Sequence, residues 1–240
     1  MDTIKIDHPN TRLIAHRGAS YLERENTMAA FIAAGNRSYY GIETDVHRTS
    51  DGKFVLIHDD TTARVAGGVD FLVEGTSFDV LRGVQLYDIG GIARADLVIP
   101  TPEEYFGVCK RYDKTAVFEL KNPFEEEDIQ KILAVVHRSG WFSHTIFISF
   151  YLQNLQLIRK FSPNANVQFL YEDRITKALV DVLVKENMGL DVRHDRLHAH
   201  SMAMLKEHNI QVNCWTVDSA LEAKRLIKLG VDFITTNRLE

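Results

Sequence analysis

Eight short apolar runs rich in β-branched and aromatic residues recur along this 240-residue chain: Leu13–Ala15, Gly41–Val46, Thr115–Leu120, Thr145–Phe150, Asn166–Tyr171, Gly189–Val192, Gln211–Val217 and Val231–Thr235. Between most of them lie stretches of helical periodicity: Thr27–Ala34, Pro102–Arg111, Glu125–Arg138, Leu152–Phe161, Ile175–Glu186, Ser201–His208 and Ala220–Leu229. Strand and helix alternating through eight units is the pattern of a closed parallel barrel. The chain is therefore expected to form an α/β fold, a (β/α)8 TIM barrel occupying residues 1–240 as one domain. Length alone also permits two small domains, but single barrels commonly run to about 250 residues.

Signals at the joints agree. In Thr101-Pro102-Glu103-Glu104 a capping threonine, a proline in the first turn and two acids open a helix. In Leu229-Gly230-Val231 a glycine closes one. Residues 59–99 break the rhythm, being glycine-rich and weakly periodic, and are expected to form an insertion after the second barrel strand, on the face where barrels bind substrates. Few residues follow the eighth strand, so the last helix is expected to be curtailed, and Leu239-Glu240 reads as an added tail.

Charge and cysteine usage narrow the function. A net charge of -5, without basic clustering, argues against a nucleic-acid partner and for a small-molecule substrate. No apolar stretch approaches the roughly 18 uncharged residues of a membrane span, so no stable membrane association is expected. The first ten residues lack the basic and apolar regions of a secretory signal, and a cytoplasmic location is expected. Cys109 and Cys214 fall on a predicted helix and a buried strand, far apart, and read as reduced core thiols. Oligomeric state stays open.

Chemistry concentrates at the predicted strand ends. Glu43 and Asp45 are two apart on a strand, so both carboxylates point the same way, and Glu119 and Lys121 repeat that spacing on the next barrel strand. Three acidic oxygen donors at adjacent strand ends make a site for one hard divalent cation, magnesium or calcium, rather than zinc. The competing reading makes Glu43, Asp45 and Glu119 salt-bridge partners of Arg17, Arg48 and Lys121 at the rim. His16 and His58 each stand where an apolar run stops, and two imidazoles beside carboxylates and a cation supply the acid and base of metal-assisted phosphodiester cleavage. His47 reads as a loop residue near the site, His198-Ala199-His200 as the lead-in to a helix, and Glu125–Asp128 as a solvated first turn. Phe150 and Tyr171, at strand ends, are candidates to touch substrate.

The ordered set Ile14-Ala15-His16-Arg17-Gly18-Ala19, Glu25-Asn26-Thr27, Gly41-Ile42-Glu43-Thr44-Asp45-Val46, Thr49-Ser50-Asp51-Gly52 and Val55-Leu56-Ile57-His58-Asp59 resembles the signature of the glycerophosphodiester phosphodiesterase family. The likeness continues through Phe118–Lys121, Asn213–Asp218 and Gly230–Thr236. It implies a barrel hydrolase that cleaves a glycerophosphodiester to sn-glycerol 3-phosphate and an alcohol, with Glu43, Asp45 and Glu119 on the cation and His16 and His58 as general acid and base. It further implies Arg17 and Lys121 at the phosphate and Trp215 lining the pocket. Arg24 departs from the family's usual proline, a change expected to affect only the turn into the first helix. The run from Asp60 to Gly68 and the Thr235-Thr236-Asn237 end depart as well. Two other functions stay open: a phospholipase D-like enzyme acting on lysophospholipid or sphingolipid headgroups, with Val69–Val73 as its docking loop, and an inactive phosphodiester-binding barrel.

Overall fold

A computed structural model describes residues 2–240. Eight parallel strands form a nearly closed barrel: β1 Arg12–Ala15, β2 Gly41–Arg48, β4 Thr115–Leu120, β5 Thr145–Ser149, β6 Asn166–Tyr171, β7 Gly189–Arg193, β8 Val212–Trp215 and β9 Phe233–Thr236. The order is β8-β7-β6-β5-β4-β2-β1-β9. β8 and β9 then meet at the ends through Asp232 N to Val212 O (2.9 Å) and Val217 N to Thr235 O (3.0 Å). Seven helices cover the outside: α1 Met28–Gly35, α3 Pro102–Arg111, α4 Glu126–Ser139, α5 Leu152–Phe161, α6 Lys177–Lys185, α7 Ala199–Glu207 and α8 Ala220–Leu229.

The local chemistry explains the boundaries. Thr101 caps α3 by accepting from Glu104 N while Glu104 returns a bond to the Thr101 amide, and Pro102 occupies the first turn. α4 and α8 stop at Gly140 and Gly230, both left-handed, where a Cβ would be strained. β2, β4 and β5 are almost continuously buried because helices cover them outside and side chains fill the barrel within. Between strands and helices lies the main core, including Phe31, Phe106, Phe118 and Phe147.

The expected insertion is present and has its own architecture. β3 (Phe54–Leu56) turns back antiparallel on Val46–Arg48, and a short helix α2 (Phe78–Arg82) follows. A second small core of Val55, Ile57, Val65, Leu81 and Leu97, among others, holds this segment together. Arginine side chains then bind it to the loop after β1: Arg94 to Glu23 and Arg64 to Glu25, each at 2.7 Å.

Several expectations need correction. Pairing with β3 extends β2 through Arg48, so His47 is a fully buried strand residue and not a loop residue. Its ring meets Glu74 Oε1 at 3.4 Å and the His58 carbonyl at 3.2 Å. Arg24 does more than shape a turn, since its guanidinium donates to the Tyr87 and Asp88 carbonyls of the insertion. Asp128 is buried and accepts from Arg48 Nε at 3.0 Å, so that part of the acidic first turn is not solvated. Leu239 is fully buried and bridges to Ile4, while Glu240 accepts from Ser38 N and Oγ at 3.0 Å, so neither is a loose tail. No helix follows β9 among the described residues, as expected. No helix among them is long and apolar enough to cross a membrane.

Candidate active site

Parallel pairing of β2 with β4 sets Asp45 opposite Glu119, and strand alternation brings Glu43 to the same side. One oxygen from each of these three carboxylates lies within 4.8 Å of the others, and all three residues are buried. Glu43 Oε1 and Asp45 Oδ1 have no hydrogen-bond partner. Glu119 Oε1 has the Lys121 ammonium at 2.8 Å, and Lys121 also reaches Asp45 Oδ1 at 3.5 Å.

Burial pushes the Glu43 and Glu119 carboxyls above the usual range, and the Asp45 charge pushes them further. Burial acts on Asp45 as well, but Arg17 and Lys121 outweigh it and hold that group well below its ordinary value. Asp45 is therefore the firmest negative charge of the cluster, and a cation would favour proton loss from the other two. Convergent, partly unpartnered carboxylate oxygens with no nitrogen or sulfur donor fit a hard divalent ion. The rim reading holds for Arg17 and Lys121 as neighbours of the acids; Arg48 pairs with Asp128 instead.

The turn after β1 is built around this cluster. Arg17 adopts the left-handed region at φ 56°, unusual for a side chain of its size, and its amide thereby donates to Glu43 Oε2 at 2.8 Å. Gly18 follows at φ 79°, where a Cβ would stand 2.6 Å from the Ala30 backbone, so a side chain there would push α1 away. Asn26 closes the turn: its Nδ2 donates to Asp45 Oδ2 at 2.7 Å and its Oδ1 accepts from Thr44 Oγ1.

The two histidines are held differently. Asn237 Nδ2 donates to Asp218 Oδ2, so Asn237 Oδ1 must be the atom that receives His16 Nδ1, at 2.8 Å. That fixes the proton on His16 Nδ1 and leaves Nε2, 4.0 Å from Glu43 Oε2, with its lone pair free. Burial and the neighbouring Arg17 lower His16 to about 4, so it is neutral at pH 7. His58 Nδ1 instead faces a carboxylate, Asp59 Oδ1, at 2.7 Å. Burial lowers His58 too, while Asp45 and Asp59 oppose that shift.

Behind Asp59 stands Arg64, whose guanidinium spans two acids. It donates to Asp59 at 2.6 and 3.0 Å and to Glu25 at 2.7 and 2.8 Å, and Glu25 in turn accepts from Arg17. Hydrogen bonds from Arg64 hold Asp59 down to about 2; Glu25 also falls to about 2, its burial overcome by Arg64 and Arg17. Because both folded values are depressed, the stabilisation is complete above the unfolded carboxylate range near pH 4 and fades as the pH falls toward 2. Arg64→Ala is expected to lower kcat by about 10-fold with little change in far-UV circular dichroism, and Arg64→Lys to recover only part, because an ammonium cannot bridge two carboxylates in a fixed fork. Steady-state kinetics on the three proteins check it.

His16, Arg17, Glu43, His58, Glu119 and Lys121 border one cleft at the C-terminal end of the barrel, open to solvent at its mouth. Trp215 and Phe150 form its aromatic side, rings edge to face at 5.7 Å. Asp45 is tied to this group through Arg17 and Lys121. Tyr171 packs on Phe169 and does not border the cleft, and His198 and His200 are exposed around the start of α7. Asn26, Asp59, Arg64, Asp218 and Asn237 escaped the reading from spacing, because each acts through another side chain. All five lie in runs singled out for their resemblance to the family or departure from it, but spacing assigned none of them a role.

A nearly closed parallel barrel with two imidazoles and three buried carboxylates around one cleft is an arrangement suited to a phosphoric diester hydrolase. The comparisons make this specific: residues 16–240 match the model of the glycerophosphoryl diester phosphodiesterase family, and the chain belongs to that family. It is 31% identical over 235 residues to a glycerophosphodiester phosphodiesterase of Caldanaerobacter subterraneus subsp. tengcongensis, covering 95% of this chain and 94% of that one. A glycerophosphodiester phosphodiesterase of Bacillus subtilis is 26% identical, covering 93% and 82%. Among solved structures, an Oleispira antarctica phosphodiesterase in complex with the product sn-glycerol-3-phosphate superimposes with a TM-score of 0.84 at 24% identity, over 94% of this chain and 92% of that one.

Proposed function

We propose that this enzyme hydrolyses glycerophosphodiesters to sn-glycerol 3-phosphate and an alcohol, with a divalent cation held by Glu43, Asp45 and Glu119. The carrying observation is the pair of differently supported imidazoles beside three converging, buried carboxylates. Bound there, magnesium or calcium would neutralise charge that develops on the phosphate oxygens. Arg17 and Lys121, which border the same cleft with most of their side chains buried, would add two positive charges where they are worth more than in water.

The supports of the histidines divide the labour. His16, neutral and with Nε2 unprotonated, is the base that removes a proton from the nucleophile, whether water or the substrate's own hydroxyl. His58 has the Asp59 carboxylate behind it, which favours a proton on the ring against the effect of burial, and in this division it protonates the leaving oxygen. The amide behind His16 offers no charge to stabilise a cation; the carboxylate behind His58 does. Trp215, its Nε1 bonded to the Asp191 carbonyl at 3.3 Å, offers an immobilised apolar wall for the leaving alcohol. Two buried, unpaired thiols fit a reducing cytoplasm.

The test is release of glycerol 3-phosphate from glycerophosphocholine and glycerophosphoethanolamine, with and without a chelator. Release that needs the cation is expected; metal-independent activity, or none, sinks the reading. Cation binding should also liberate protons, since Glu43 and Glu119 are both shifted upward without it. Calorimetric titration with magnesium or calcium in buffers of different ionisation enthalpy should give heats that change with the buffer. A second reading, a lysophospholipid substrate, is favoured by the exposure of Val69, Phe71 and Leu72 on the insertion. Faster choline release from lysophosphatidylcholine than from glycerophosphocholine would establish it.

A further inference from the structure

Three consecutive strands place polar side chains side by side inside the barrel: Asp191 on β7, Asn213 on β8 and Thr235 on β9. Asp191 and Asn213 are partners in register, and Thr235 Oγ1 donates to Asn213 Oδ1 at 3.2 Å. Asn213 Oδ1 also accepts from Cys214 N, so Nδ2 is turned the other way, and it has no partner. Asp191 is only 1% exposed, yet its Oδ1 has no hydrogen-bond partner and no ion pair among the described residues includes it. Leaving a buried polar group unpaired costs about 1–3 kcal/mol, so such a group calls for an explanation.

Asp191 and Thr235 both border the catalytic cleft. Around them the wall is closed and apolar, with Ile148 2% and Leu170 3% exposed, whereas Phe150 at the mouth is 39% exposed. Desolvation, with Glu119 adding to it and Asn213 opposing it, raises the Asp191 carboxyl well above the usual carboxylate range. A neutral carboxyl presents one donor and one acceptor, the complement of an alcohol hydroxyl and a poor match for an anion or a quaternary amine.

A glycerophosphodiester has two unlike arms. One is always glycerol, small and hydroxylated; the other is an alcohol whose size varies and which needs the open mouth. We propose that Asp191 determines specificity for the glycerol arm, by hydrogen bonding its terminal hydroxyl at the closed floor of the cleft, with Thr235 alongside. This deepens the substrate reading above and rests on it. The same geometry accounts for the unpartnered oxygen: its partner arrives with the substrate.

The test compares choline release from glycerophosphocholine and from 2-hydroxypropyl phosphocholine, which lacks only the terminal hydroxyl. The ratio of the two kcat/KM values is independent of how much of a sample is folded, so a destabilised variant remains informative. Wild-type protein should prefer the hydroxylated substrate by at least about 100-fold, because a site built for a hydroxyl strongly rejects its absence. Asp191→Leu should bring the ratio to within about threefold, whereas Asp191→Asn, which keeps a donor and an acceptor, should hold it above about tenfold. Choline release with the wild-type ratio surviving in Asp191→Leu overturns this proposal alone. Release from neither substrate by wild-type protein overturns the substrate reading and this proposal with it.

Discussion

His16→Ala and His58→Ala are each expected to lower kcat by at least about 100-fold while the circular dichroism spectrum and thermal melting stay close to wild type, because general acid–base help contributes about 100- to 10,000-fold per group. Neither ring is a packing element of the apolar core, so alanine leaves the barrel's buried layers intact. In the proposed mechanism the pair would act on opposite oxygens of one phosphorus, and the double variant is expected to lose far less than the product of the single effects. The two losses should also differ with the leaving group. A substrate whose leaving alcohol is acidic, such as a p-nitrophenyl ester, has little need of a proton donor, so it should restore His58→Ala substantially and His16→Ala hardly at all. The opposite pattern would exchange the roles of the histidines, and normal turnover in either variant would remove that residue from the chemistry.

Much of this arrangement is legible in the sequence, and what is hidden follows a physical rule. Glu43, Asp45 and Glu119 stand out because strand alternation converts spacing directly into side-chain direction, and parallel register then brings two strands' acids together. Asn237 could not be found that way. It meets His16 from 221 residues along the chain, across the seam where β9 closes on β1, and no local periodicity encodes that contact. The insertion shows the same limit from another side. Its weak periodicity correctly marked it as separate from the strand–helix repeat, but its function as a strut came from Arg24, Arg64 and Arg94, three long side chains whose partners depend on the fold of both segments. His47 was misplaced because β3 lengthens β2 through an antiparallel pairing that the barrel repeat does not contain. Asp191 sits between Leu190 and Val192 in a short strand, and its position there does not encode that the cleft reaches it.

The acid cluster carries a cost that a single substitution should expose. Glu119→Gln is expected to raise the melting temperature of the cation-free protein by about 2–4 °C, the shift expected for roughly 1 kcal/mol in a chain of this size. The sign follows from the direction of the shift. Burial first, and Asp45 next, raise Glu119 in the folded state, to about 7. Between the unfolded carboxylate value and that point the folded state binds more protons than the unfolded one, so the metal-free protein loses stability as the pH rises through this window. Glutamine has nearly the same shape and no charge to bury, so the variant's stability should be flatter over the same range. Activity should move the opposite way, falling at least about 1,000-fold, because the cation supplies several kcal/mol of charge stabilisation and each 1.36 kcal/mol is a factor of ten. Added magnesium or calcium, which stabilises wild type by binding only the folded state, should no longer shift the variant's melting. A variant that melts lower than wild type without cation, or that still responds to it, would remove Glu119 from the cation site and return it to the rim as a partner of Lys121.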